Sequence, residues 1–447
     1  MIPGFLKIFR PPPPAAILIT EPEAVAAAYS RWQVRVLIFS IIGYATFYLV
    51  RKNLGIAMPF MIQQLGISKE QLGLFLTLHG VLYGVSKFLN GFLADRANAR
   101  AFMAVSLVAS ALLNVCFGLS SIVAMLGVVW MINGWFQGMG FPPCARLMAN
   151  WFPPSQLATK FSIWNTSHNI GSIAVLLLCG FLVGGYWFAP DWRLCFFVPA
   201  GIAIVIAIVL WFMLPDTPPS VGLPEFAGTH VDLPEKTSHE ENFKAFLWRQ
   251  VFSNKYIWML AIANFFVYAI RYAVFDWAPT LLMESKHIKI MHAAWMLIGF
   301  EVCGAIGALF GGWATDRFLG GRAARACTIY MALAGVSTVL FWKIQTDSEL
   351  LITALLCAIG FFVYGPQCLL AIACANLATK RAAATVVGLT SIFGYASTVL
   401  SGWGLGYVAD HYGWNAVFEG LTACAAAGTL LFLGAWPAKA HGYKSYS

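Results

Sequence analysis

Twelve long stretches of apolar side chains, separated by short polar turns, organise this chain. They fall at about 34–60, 70–94, 102–121, 123–148, 158–185, 193–214, 256–283, 293–314, 325–343, 350–376, 383–409 and 414–436. A helix needs about 20 residues to cross the hydrocarbon core of a bilayer, and each run meets or approaches that length. The pattern predicts an all-α membrane protein of twelve transmembrane helices. A polar stretch at 215–254 interrupts the series, with Asp216, Glu225, Asp232, Glu235, Glu240, Glu241 and several prolines. It reads as a cytoplasmic linker between a six-helix bundle at 34–214 and a second at 255–436, flanked by cytoplasmic tails at 1–33 and 437–447. Residues 1–30 hold Pro11 to Pro14 and acidic side chains, with no continuous apolar region before a small-residue cleavage site. An uncleaved first span is expected.

The two bundles look like copies. Gly91-Phe92-Leu93-Ala94-Asp95-Arg96 follows the second span, and Gly312-Trp313-Ala314-Thr315-Asp316-Arg317 follows the eighth. Asp95 and Asp316 are 221 residues apart, Arg51 and Arg271 are 220 apart, and Pro142 and Pro366 are 224 apart. A near-constant offset predicts two pseudo-symmetric halves, an arrangement that places a transported substrate at their interface near mid-membrane.

Composition narrows the function. Charged residues make up 11% of the chain and hydrophobic ones 60%, against a usual charged share of about 25%. So few polar groups could not cover a soluble fold of this size, which argues against a cytosolic enzyme. The net charge of +9 suggests nucleic acid until it is mapped: 18 of the 28 Lys and Arg fall in, or within a few residues of, the tails and even-numbered loops, and 5 in or beside odd-numbered loops. That bias orients a membrane protein, with both termini in the cytoplasm. Lipid is the expected surrounding and nucleic acid is not an expected partner. The ten cysteines include no C-x-x-C pair, and no metal-ligand spacing, phosphate-binding loop or nucleophile elbow occurs, so neither cofactor nor metal is expected.

Charged and phenolic groups inside the spans are the candidate chemistry, because an ionised side chain at mid-membrane costs roughly 2.5–3.5 kcal/mol. Tyr48 and Arg51 in the first span match Tyr268 and Arg271 in the seventh. The matched depth favours one central cavity over snorkelling of each arginine to the surface. Two facing guanidiniums repel unless an anion joins them, and the guanidinium fork suits two oxygens of a phosphate. Lys87 either snorkels to the cytosol or joins that site. His168, one turn after Asn165, is either a packing residue or a group that answers a second phosphate charge. Glu301 is expected to compensate a nearby cation. Asp276 is expected in an ion pair or gate contact. Tyr44, Tyr48, Tyr268, Tyr272, Tyr364 and Tyr395 either make interhelical hydrogen bonds or line a polar cavity. Asp95-Arg96, with Arg100 nearby, and Asp316-Arg317 read as gating ion pairs or as plain orientation signals.

The loop GFLADRANAR at 91–100 resembles a signature of the major facilitator superfamily. More narrowly, the chain is similar to the organophosphate:inorganic phosphate antiporters. The stretches that carry this are YLVRKN at 48–53, YGVSKF at 83–88, GWFQGMGFPPCARLM at 134–148, WNTSHN at 164–169, ANFFVYAIRY at 263–272, YGP at 364–366 and FGY at 393–395. The resemblance implies the major facilitator fold in a bacterial cytoplasmic membrane. It implies exchange of glycerol 3-phosphate or a hexose 6-phosphate for inorganic phosphate, by a monomer. It places phosphate-binding arginines on Arg51 and Arg271, a site histidine on His168 and a site lysine on Lys87. Tyr44, Tyr48, Asn165, Tyr268, Tyr364 and Tyr395 match positions near the family's cavity. The chain departs from the pattern at Asn376, where relatives usually carry Glu, and at Phe141, where the glycerol-3-phosphate branch has a Trp-like position. Two alternatives stand beside exchange: a proton-coupled anion importer using His168 or Glu301, and a sugar-phosphate sensor of the same fold.

Overall fold

The computed structural model describes residues 8–94, 97–185, 191–225, 248–344, 346–377 and 383–438. Asp95 and Arg96 and the side chain of Asn376 lie outside the described residues. Sixteen α-helices are described: α1 Pro22–Leu49, α2 Asn53–Leu65, α3 Lys69–Ala94, α4 Ala99–Leu119, α5 Val123–Gly138, α6 Phe141–Trp151, α7 Pro154–Asn165, α8 Ser167–Val183, α9 Leu194–Met213, α10 Lys255–Lys286, α11 Ile290–Phe318, α12 Ala323–Lys343, α13 Glu349–Leu377, α14 Ala383–Ala396, α15 Leu405–His411 and α16 Gly413–Gly434. They resolve into twelve spans once interrupted helices are joined. Ten are long and apolar enough to cross a bilayer on length and composition. The other two are α5 with α6, and α14 with α15.

The interruptions have local causes. Pro142 and Pro143 open α6, where missing amide hydrogens cost nothing. A π-helical stretch over Val399–Gly404 separates α14 from α15. Between α1 and α2, residues 50–52 leave the helix, and the amides of Arg51 and Lys52 both turn back to the Tyr48 carbonyl, at 3.3 and 2.9 Å. Apolar runs do not record such breaks, because hydropathy does not sense backbone hydrogen bonding.

By contacts the chain divides into two compact units, 1–57 with 82–235, and 58–81 with 236–447. In the first, a core of Phe47, Met103, Leu107, Leu147, Trp151, Trp164 and Leu210 joins α1, α4, α6, α7 and α9. Residues 215–225 pack on this unit. Its buried Asp216 takes the Ala99 amide at 2.7 Å and the Arg146 guanidinium at 3.3 Å, and Arg146 also donates to the Ala94 carbonyl at 3.1 Å. Burial pushes the Asp216 carboxyl up from its ordinary value, against the pull of Arg146, the Ala99 amide and Arg100. The amino-terminal tail follows the same stretch, with the Ala15 amide on the Pro219 carbonyl and the Ile19 amide on that of Gly222, both at 2.8 Å.

In the second unit, α11 and α13 touch backbone to backbone. A Cβ on Gly307 would meet the Phe361 carbonyl oxygen at 2.1 Å, and one on Gly360 the Phe300 oxygen at 2.3 Å. The start of α3 is held in the same way: a Cβ on Gly73 would sit 2.3 Å from the Gly402 oxygen. Thr77 donates to the Thr398 carbonyl at 2.7 Å and accepts the Trp403 amide at 2.8 Å. Lys69 pairs with Glu284 at 3.0 Å.

Candidate functional site

Each unit carries one of the matched arginines, in different surroundings. In the first, Tyr44, Tyr48 and Arg51 follow one another at four- and three-residue spacing, which puts them on one face of α1 and its broken end. The Arg51 guanidinium carbon lies 4.0 Å from the centre of the Tyr48 ring and 5.0 Å from that of Tyr83. The Tyr83 side chain is hydrogen-bonded to both Tyr44 and Arg51. The Arg51 Nε is buried without a hydrogen-bond partner. Among the described residues no carboxylate within 4.0 Å pairs with it, and its neighbours are phenols.

Lys87 lies one turn beyond Tyr83 on α3. Its Nζ sits 4.1 Å from the centre of the Phe141 ring, and it feels the charge of Arg51. Phe141 packs edge-on against Trp164 at 5.7 Å, and Trp164 lies 4.9 Å from the Tyr44 ring. The His168 ring lies 6.3 Å from that of Tyr48. Arg51, Tyr44, Tyr48, Lys87 and His168 are therefore gathered in one aromatic-lined half-site. Asn165 is exposed.

In the second unit Arg271 is buried on an unbroken α10. Its guanidinium carbon lies 4.5 Å from the centre of the Tyr364 ring, and the two side chains are hydrogen-bonded. The Tyr364 hydroxyl donates to Oε1 of Glu301, which is fully buried on α11. Gly304 on α11 leaves room for the Tyr364 ring, whose Cδ2 would stand 2.6 Å from an added Cβ. Arg271, Tyr364 and Glu301 thus form one chain of contacts. Tyr268 packs edge-on to Tyr272 at 5.4 Å. Tyr395 is half-buried on α14 and Asp276 is buried on α10.

Of the charged positions read as gates or orientation signals, Asp316 and Arg317 are exposed at the end of α11. Arg100 is half-buried, its guanidinium 5.2 Å from the centre of the Trp211 ring.

Tyr83 and Trp164 were not singled out by sequence, because their place beside Arg51 and Tyr44 comes from helices distant along the chain. Asn114 and Asn133 did leave a signal, as lone amides in apolar runs. Both are buried and both donate to the Val50 carbonyl, at 2.9 and 3.0 Å.

A family model described as Major Facilitator Superfamily matches residues 40–402. A "Probable hexose phosphate transport protein" of Chlamydia trachomatis serovar D is 37% identical over 99% of both chains. A "Glycerol-3-phosphate transporter" of Bacillus subtilis strain 168 is 39% identical over 92% of this chain and 94% of its own. A "Membrane sensor protein UhpC" of Escherichia coli K12 is 33% identical over 97% and 98%. In fold, the chain superposes with a TM-score of 0.72 on a bacterial homologue of the human lysosomal transporter Spinster, at 16% identity over 90% of this chain and 95% of that one. The chain is a multi-pass membrane protein of the major facilitator superfamily and belongs, within it, to the organophosphate:inorganic phosphate antiporter family.

Proposed function

We propose that this protein exchanges an organophosphate, such as glycerol 3-phosphate or a hexose 6-phosphate, for inorganic phosphate across a bacterial cytoplasmic membrane, as a monomer with both termini in the cytoplasm. The observation that carries the reading is Arg51: a permanently charged guanidinium with a buried, unpartnered Nε and phenols in place of a carboxylate. A doubly charged phosphate supplies the acceptors this fork lacks. Its second pair of contacts comes from Arg271, whose charge is shared through Tyr364 with Glu301.

Lys87 adds positive charge beside Arg51 for the same anion, His168 stands where it can answer that anion's second charge, and Tyr44, Tyr48 and Tyr83 orient the fork. Asn165, Tyr268 and Tyr395 complete the lining that meets the organic part. The two helical bundles, 34–214 and 255–436, rock about this bound anion. Empty, the two guanidiniums repel and resist reorientation; loaded, they are bridged, and the carrier turns. Exchange follows from that difference, without nucleotide hydrolysis.

The test uses purified protein in liposomes loaded with labelled phosphate. Efflux is expected only when phosphate, glycerol 3-phosphate or glucose 6-phosphate is supplied outside. Efflux that proceeds without a counter-anion overturns the reading. A sensory role is the second reading, favoured by the similarity to a relative named a membrane sensor. Rapid exchange by the purified chain excludes a purely sensory one.

A further inference from the structure

Five buried amide and hydroxyl side chains meet where the first span breaks. Asn114 on α4 donates to the carbonyls of Val50 and Ser110, both at 2.9 Å. Asn133 on α5 donates to the same Val50 carbonyl at 3.0 Å. Asn53, at the start of α2, donates to Asn114 Oδ1 and to the Cys195 carbonyl of α9, both at 2.8 Å. The Ser110 hydroxyl donates to Asn133 Oδ1 and accepts Gln137 Nε2, the latter at 2.7 Å. Asn53, Ser110, Asn114 and Asn133 are fully buried, and Gln137 is 1% exposed.

Each of these amides is costly inside an apolar bundle unless it is hydrogen-bonded. Their common target is one backbone oxygen, immediately before Arg51. Both acceptor positions of the Val50 carbonyl are filled by side chains from two other helices. That fixes the plane of the peptide leading into Arg51 and hence the direction in which its side chain leaves the chain. Arg271 has no equivalent break, since α10 runs from Lys255 to Lys286 through it.

We propose that Asn114 and Asn133, braced by Asn53, are positioning residues for the Arg51 fork: they pin the helix break, and the break aims the guanidinium. This rests on the reading of Arg51 as an anion ligand, and its test is built to fail separately. Asn114→Leu and Asn133→Leu keep the volume and remove the donors. Ser106→Ala is the control, a buried hydroxyl on α4 that donates within its own helix to the Met103 carbonyl. In the full-length protein in detergent, amide hydrogen exchange of a peptide covering residues 49–56 is expected to quicken by about tenfold in each Asn variant. It should stay unchanged in Ser106→Ala and in peptides from α12. In liposomes, KM for inorganic phosphate should rise by about tenfold in the Asn variants, with Vmax within about twofold of the parent. Unchanged exchange at 49–56, an equal change in Ser106→Ala, or a native KM with lowered Vmax overturns the proposal. The hydrogen-exchange arm needs no ligand. A parent protein that does not exchange phosphate therefore removes the cargo assignment and leaves this inference to be judged on the peptide.

Discussion

A guanidinium keeps its charge at any physiological pH, so Arg51 and Arg271 must each be compensated where they stand. Arg271 reaches Glu301 through a phenol, whereas Arg51, among the described residues, meets ring faces and the Tyr83 hydroxyl. Ring faces attract a cation by roughly 0.5–2 kcal/mol each, too little to replace water around a full charge. Arg51→Lys keeps the charge and loses the two-pronged contact, so phosphate exchange, measured as Vmax/KM in liposomes, should fall by about a hundredfold. Tyr83→Phe removes the hydroxyl shared by Tyr44 and Arg51. A hydrogen bond to a charged group is worth about 1.5–3 kcal/mol, so KM for phosphate should rise at least about tenfold on direct assay. Tyr44, Tyr48 and Arg51 were legible together because helical spacing puts them on one face. Tyr83 was not, because no local period links residues brought together from α1 and α3.

Two of the joints between helices differ in kind. Where α11 meets α13, Gly307 and Gly360 let the backbones touch, and that approach sets Tyr364 beside Glu301. Where α9 ends, the joint is ionic: Arg146 answers Asp216, whose carboxylate also caps the start of α4. Removing one member of a buried pair costs about 3–5 kcal/mol, while removing both can be nearly neutral. Arg146→Met should therefore lower the melting temperature in detergent markedly, and adding Asp216→Asn should restore most of the loss. The sign with pH follows from burial. The Asp216 carboxyl is raised above its unfolded value, and losing Arg146 removes a pull in the opposite direction. Protonation then accompanies folding, so the deficit of Arg146→Met should shrink in mildly acidic buffer and grow in alkaline buffer. The twelve spans could be read from hydropathy alone. The joints could not: the span read over 123–148 runs straight through the break at Pro142 and Pro143, and a backbone that leaves the α-helix at 50–52 or 399–404 keeps the same apolar side chains.

Across the whole molecule, exchange of like-charged anions moves no net charge. One elementary charge crossing 100 mV is worth about 2.3 kcal/mol, so a carrier that moved phosphate alone would respond steeply to voltage. Phosphate-for-phosphate exchange should run at the same rate with and without an imposed potential; a strong dependence, read from labelled efflux under a potassium diffusion potential, would count against paired exchange. Alternating access also demands that some helix contacts be remade in every cycle. The meeting of Gly73 with Gly402 is suited to that work. The glycine main chains need no rotamer to meet, whereas Thr77 beside them must recover its hydrogen bonds to Thr398 and Trp403 whenever that surface closes. A valine at position 73 would be a doorstop, holding ajar a seam that the glycine lets shut flush.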